Sequence, residues 1–164
     1  MKNKCNPMLE KVSFAFTYTA VEEAVMSDSS YIARSLYDVA AEKPQVTPLI
    51  ITEDDKPFIV EQVTQACADI VTRLAAYIAE ETQFEDEPYT FVFTLPTCRN
   101  ASVDALIRHE LLRAIATHVL SRWYEVRLPA VAAREQQLYD AAIAMLRHDI
   151  FMAHGPVRRA GSYL

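Results

Sequence analysis

Only two glycines occur in the 164 residues, Gly155 and Gly161, and both lie near the C-terminus. Glycine lets a backbone pass through positive φ or approach a phosphate closely. Its scarcity excludes glycine-rich phosphate loops and dinucleotide fingerprints. It also argues against a turn-rich all-β chain. What remains is a mainly helical fold, and the apolar spacing agrees.

The longest clean helical pattern runs from Glu53 to Glu80. Ile59, Val63, Ala66, Cys67, Ile70, Leu74, Tyr77 and Ile78 recur at steps of three and four, which places them on one face. Glu61, Gln65, Asp69 and Arg73 form the solvated face. Thr52, Asp54 and Asp55 are candidate N-caps. Pro57 favours Asp55, because a proline in the first turn forfeits no helical hydrogen bond. This helix is expected to anchor the core and to hold the two C-terminal helices on its apolar face.

Around it the chain predicts a bundle of about four to five helices with a small two-stranded β element. Residues 1–10 read as a flexible leader, 11–154 as a single helical domain, and 155–164 as an extended basic tail. Residues 11–19 alternate, with Val12, Phe14, Phe16 and Tyr18 on one side. Residues 89–95 alternate likewise, with Tyr89, Phe91, Phe93 and Leu95 together. The two strands match in length and can pair, within one chain or between chains. A helix starts after Thr19. The SDSS stretch at 27–30 interrupts it, and Asp28 or Ser29 caps a second one bearing Ile32, Leu36, Val39 and Ala40. Pro44 and Pro48 bound a loop from which Leu49 to Ile51 dip into the core. Residues 80–87 are acidic and read as a solvated loop. Asn100 or Ser102 caps a long helix to about Arg127, with Trp123 plugging the core. Pro129 opens another to about Phe151, and Gly155 stands where a helix C-cap is expected.

Chemistry is sparse. A net charge of −6 disfavours a general nucleic-acid binder, which needs a basic surface. Cys5, Cys67 and Cys98 are odd in number and far apart, so reduced thiols fit better than a disulfide framework or zinc site. Cys67 reads as core, and Cys98 is the least implausible nucleophile, without a supporting signature. His109 and His118 share one predicted helix about half a turn out of phase, so they cannot share a metal within it. They and His148 and His154 read as surface or satisfied core residues. No apolar run reaches the ~18 residues of a membrane span. No signal-peptide core follows the N-terminus, so the chain reads as neither exported nor anchored. No catalytic, cofactor-binding or metal-ligating residue is nominated, and no small molecule is implied. The most unusual charges are Arg158 and Arg159, whose guanidinium groups suit the carboxylates of a neighbouring surface.

The order of elements carries a resemblance. An aromatic strand (KVSFAFTY) and a short helix precede TEDDKPFIVEQVTQACADIVTRLAAYI. A strand ending in LP (YTFVFTLP), two long helices joined at RLP and a PVRR tail follow. This resembles small, mostly helical proteins of phage and prophage structural modules of Bacteroidales-type bacteria, and in outline the head–tail connector (neck) proteins of tailed phages. The resemblance spans most of the chain and rests on caps and apolar stripes. It implies a non-enzymatic virion assembly protein, found in the cytoplasm of a bacterial host or in the virion. Its partners would be further copies of itself and portal or tail proteins, with no membrane and no sequence-specific nucleic acid. Arg158, Arg159, Phe14, Phe16, Phe91 and Phe93 are the expected subunit contacts. The other classes are a helical interaction or regulatory module with no virion role, and an enzyme with an unrecognised site.

Overall fold

The computed structural model describes residues 8–39 and 47–153. Strand β1 (Leu9–Phe16) leads into helix α1 (Tyr18–Val39). Helix α2 (Lys56–Arg73), strand β2 (Tyr89–Pro96), helix α3 (Ala101–Tyr124) and helix α4 (Pro129–Ala153) follow. The fold is mainly α with a small antiparallel sheet, as the sequence predicts. No described helix is long and apolar enough to cross a membrane.

The strand begins earlier than expected and takes two residues of the supposed leader. Leu9 pairs with Pro96 and Glu10 with Leu95. Arg99 holds Glu10 and Asp104 together, fixing the start of β1 beside the start of α3. The strand also ends earlier. The Thr17 hydroxyl accepts the Ala20 N–H at 3.3 Å, so Tyr18 already belongs to the helix.

Helix α1 does not break at SDSS. It runs through 27–30 because Ser29, fully buried, serves another segment. Its Oγ donates to Met26 O and accepts the Ile51 N–H at 3.1 Å. The neighbouring Leu49 carbonyl accepts from Trp123 Nε1 at 3.1 Å and from Tyr124 Oη at 3.0 Å. Three buried side chains thus meet the polar backbone of a segment whose Leu49 and Ile51 lie in the core. Trp123 is a core residue, as expected, with Arg127 stacked on its ring at 3.8 Å.

The expected helix over 53–80 is shorter. Glu53–Asp55 form a single 3-10 turn, in which the Asp55 carboxylate accepts both the N–H and the hydroxyl of Thr52. Asp55 is the N-cap of α2 and Pro57 lies in its first turn, as the proline argument requires. The helix stops at Arg73 because the chain beyond joins the sheet. Ala79 N–H donates to Val92 O, Thr94 N–H to Tyr77 O, and Gln83 and Thr90 exchange two hydrogen bonds. Residues 77–83 therefore cover the outer edge of β2, which explains how so small a sheet is stabilised.

The central element is α3, not α2. From Ala114 to Tyr124 every residue but Arg122 is buried, since α1, α2 and α4 all pack on it. Two of its polar members, Thr117 and Ser121, tolerate this by bonding within the helix. Thr117 Oγ1 donates to Arg113 O and Ser121 Oγ to His118 O. Asn100 caps α3, accepting the Ser102 N–H at 3.1 Å.

Candidate functional site

Beyond isolated buried atoms such as Gln62 Oε1, two regions of the described residues gather unused polar capacity. The first is the outer edge of β1. Met8 O accepts the Thr97 N–H, so hydrogen-bonded pairs recur at Glu10, Val12, Phe14 and Phe16. The backbone groups of Leu9, Lys11, Ser13 and Ala15 then point away from β2. The opposite strand agrees. Thr90, Val92 and Thr94, the partners of Ala15, Ser13 and Lys11, are the residues that bond residues 77–83. Arg108 Nη2 donates to Ala15 O at 2.9 Å. Among the described residues, Leu9, Lys11 and Ser13 have no partner for their outward N–H and C=O groups, and all three are exposed.

The phenylalanines of these strands are not at that edge. Phe14, Phe16, Phe91 and Phe93 are all buried, at 4%, 3%, 0% and 0% exposure. Phe14 meets Phe93 edge-on at 5.8 Å and Phe16 meets Phe91 at 6.5 Å, diagonal pairs across the ladder. This corrects the expectation that these rings touch a neighbouring subunit: they close the chain's own core. Arg158 and Arg159 lie outside the described residues, as do Pro44, Cys5, His154 and the Gly155 cap. The acidic stretch is less free than expected. Glu81 pairs with Lys11, which holds its carboxyl below the usual range.

The second region is a polar cleft of about 270 Å³ where α2, α3 and α4 meet. Asp69 and Arg73 come from α2, His118 and Arg122 from α3, and Gln136 and Tyr139 from α4. Each helix contributes residues three or four positions apart, which share a face. Asp69 Oδ2 accepts from Tyr139 Oη at 2.5 Å and forms an ion pair with Arg73 Nε at 2.8 Å. Arg73 Nη1 also reaches Asp140 Oδ1 at 2.8 Å. Burial, then the bond to Asp69, pushes the Tyr139 hydroxyl far up, so it stays protonated and donates. His118 lies beside this network without joining it. Its ring meets Tyr139 edge-on at 5.3 Å, it is 6% exposed, and neither ring nitrogen has a hydrogen-bond partner. Burial and then the Arg122 charge lower its pKa, so the imidazole is neutral.

The chain matches no protein-family model, no curated protein and no solved structure. The geometry alone therefore bears on function. Among the described residues no group of three or more His, Cys, Asp or Glu side chains is placed to hold a metal ion. Cys67 is buried and its thiol is pushed up to about 12 by desolvation, so it is an inert core residue, while Cys98 is exposed. A third polar cluster joins Asp28 of α1 to Glu135 of α4 beside Arg113 and Arg134, with burial raising both carboxyls.

His118 is core, as one sequence reading allows, but it is not satisfied there. Asp69 and Arg73 keep part of the solvent exposure expected of them, and they also reach Tyr139 and Asp140 of α4. The sequence holds one local signal for the cleft, the paired spacing of Asp69 with Arg73 and of His118 with Arg122. Nothing local indicates that Tyr139 completes it.

Proposed function

We propose that the protein is a non-enzymatic virion assembly subunit of the head–tail connector or neck kind, acting through contacts with further copies and with portal or tail proteins. The observation that supports this reading is the outer edge of β1. An exposed row of unpaired backbone groups is a template on which an extended segment of another chain can add as a strand. The occupant we assign is the 155–164 tail of a neighbouring copy, with Arg158 and Arg159 available for acidic side chains beside the edge. Tail on edge is a heterologous contact, which closes into a ring when the rotation between neighbours allows. In this reading the protein is made in the cytoplasm of a bacterial host and ends in the virion.

The test uses two variants. Ser13→Pro removes only an outward N–H, because Ser13 makes no ladder bond to β2, and edge strands tolerate proline. Deleting residues 156–164 removes the proposed occupant. Both proteins should keep the wild-type circular dichroism and lose assembly, measured by light scattering and electron microscopy, alone and with the portal protein. If Ser13→Pro assembles as the parent does, the edge is not the contact. If the truncated chain does, the tail is not the occupant. Absence of the protein from purified virions would overturn the virion reading itself.

A further inference from the structure

The cleft around His118 gathers polar groups whose hydrogen-bonding capacity the other described residues do not use. The acids there are already engaged: Asp69 accepts from Tyr139 and is ion-paired with Arg73, and Asp140 accepts from Arg73. The Arg73 guanidinium is held by those two carboxylates, and its backbone carbonyl accepts from Arg147. Gln65 is turned to Glu61. Among the described residues the Arg122 guanidinium has one long contact, to Glu125 at 3.4 Å, and it is half-exposed. His118 stands one turn before Arg122 on α3, nine-tenths buried, with both ring nitrogens unpartnered. An imidazole placed so leaves one donor and one acceptor unmet, a cost that a ligand can relieve.

We propose that this cleft binds a single carboxylate group, received by the Arg122 guanidinium and a ring N–H of His118, with Gln136 at the rim. Charge favours a monoanion. Arg73, Arg122 and Arg147 balance Asp69, Asp140 and Glu125, so a singly charged group adds one negative charge that a proton on His118 can cancel. A phosphate dianion would leave excess negative charge beside Asp69. The volume suits a carboxylate on a short stem. That stem belongs either to a small free acid or to an acidic side chain of a partner protein.

The experiment observes the imidazole directly. Full-length protein carrying nitrogen-15 histidine is titrated with acetate, succinate, a Glu-containing hexapeptide, inorganic phosphate and chloride at matched ionic strength. The His118 ring signals should shift saturably with a carboxylate, while those of exposed His109 and His148 stay in place. Saturation by acetate or succinate identifies a small-acid site. Saturation by the peptide alone identifies a partner's side chain. Arg122→Gln, at a half-exposed position that leaves the core intact, should weaken binding about tenfold or more. His118→Phe, which removes the reporter ring and is therefore followed by titration calorimetry, should abolish binding while keeping the edge contact with Tyr139. Because bound carboxylate favours the imidazolium, affinity should rise as pH falls. The groups that set this response are Asp69 and Arg73 on α2, Arg122 with its neighbour Glu125, and Tyr139, Asp140 and Arg147 on α4. No saturable shift, a response to phosphate but not to carboxylates, or full binding by Arg122→Gln overturns the proposal.

Discussion

Replacing Ser29 by alanine should unlock the segment that carries Leu49 and Ile51. In the folded chain Ser29 Oγ donates to Met26 O at 3.0 Å and accepts the Ile51 N–H at 3.1 Å. Ser29 and Ile51 are both fully buried, and no other acceptor for that N–H exists among the described residues. Alanine keeps the helix and almost the same volume. It leaves a buried amide unpaired, which costs about 1–3 kcal/mol. Its better helix propensity offsets up to about 0.7 kcal/mol of this. The net loss is about 1–2 kcal/mol, or a fall in Tm of about 3–6 °C for a chain of this size. Ser35→Ala is the matched control, because its hydroxyl is exposed and only bonds back to Ile32 O at 2.9 Å. That variant should stay within about 0.5 kcal/mol of the parent. Urea unfolding followed by circular dichroism compares the two. Equal stability of Ser29→Ala and Ser35→Ala would refute the argument, and with it the reason α1 runs unbroken through 27–30.

Two further outcomes follow from burial. In a Cys5→Ser background, a thiol reagent should label Cys98 in the folded protein and reach Cys67 only on unfolding, since the Cys67 thiol is buried and pushed up to about 12. Rapid modification of Cys67 under native conditions would contradict the packing of α2. Burial, and then the neighbouring charge of Asp28, raises the Glu135 carboxyl above its ordinary range. A raised pKa contributes stability at acidic pH that is lost as pH rises through the folded value. Glu135→Gln should therefore be more stable than the parent near pH 8, with the advantage shrinking on acidification. A Tm difference independent of pH would show that Glu135 is not strained by burial.

Local pattern was enough for most of the elements. The alternation around Phe14 and Phe91, the Asn100 cap and the prolines at 57 and 129 each act through neighbours in sequence. The errors have a common physical cause. The serine at 29 looks like a helix cap because its hydroxyl can satisfy a backbone donor, and it does so, but for Ile51 rather than for its own helix. Residues 74–80 keep helical spacing, yet the open edge of β2 recruits their backbone, and seven further helical residues are given up. The candidate cleft was less legible still. Asp69, His118 and Tyr139 come from three helices, and no spacing within one helix reports what faces it from another.

The class of fold follows from the sequence alone, because glycine scarcity and apolar periodicity act on each segment separately. Cys67 is likewise legible as a core residue from its place in the apolar stripe of α2. Packing settled that the strand phenylalanines close this chain's own core, which helix is central, which edge of the sheet is covered, and which polar groups are left over. Those outcomes depend on how many elements compete for the same surface. Helix α3 is buried from several sides because α1, α2 and α4 all need a partner, and only its self-bonded Thr117 and Ser121 make that affordable. His118, on the same buried stretch, has no such internal bond, so its leftover hydrogen-bonding capacity exists only once the three helices have closed around it.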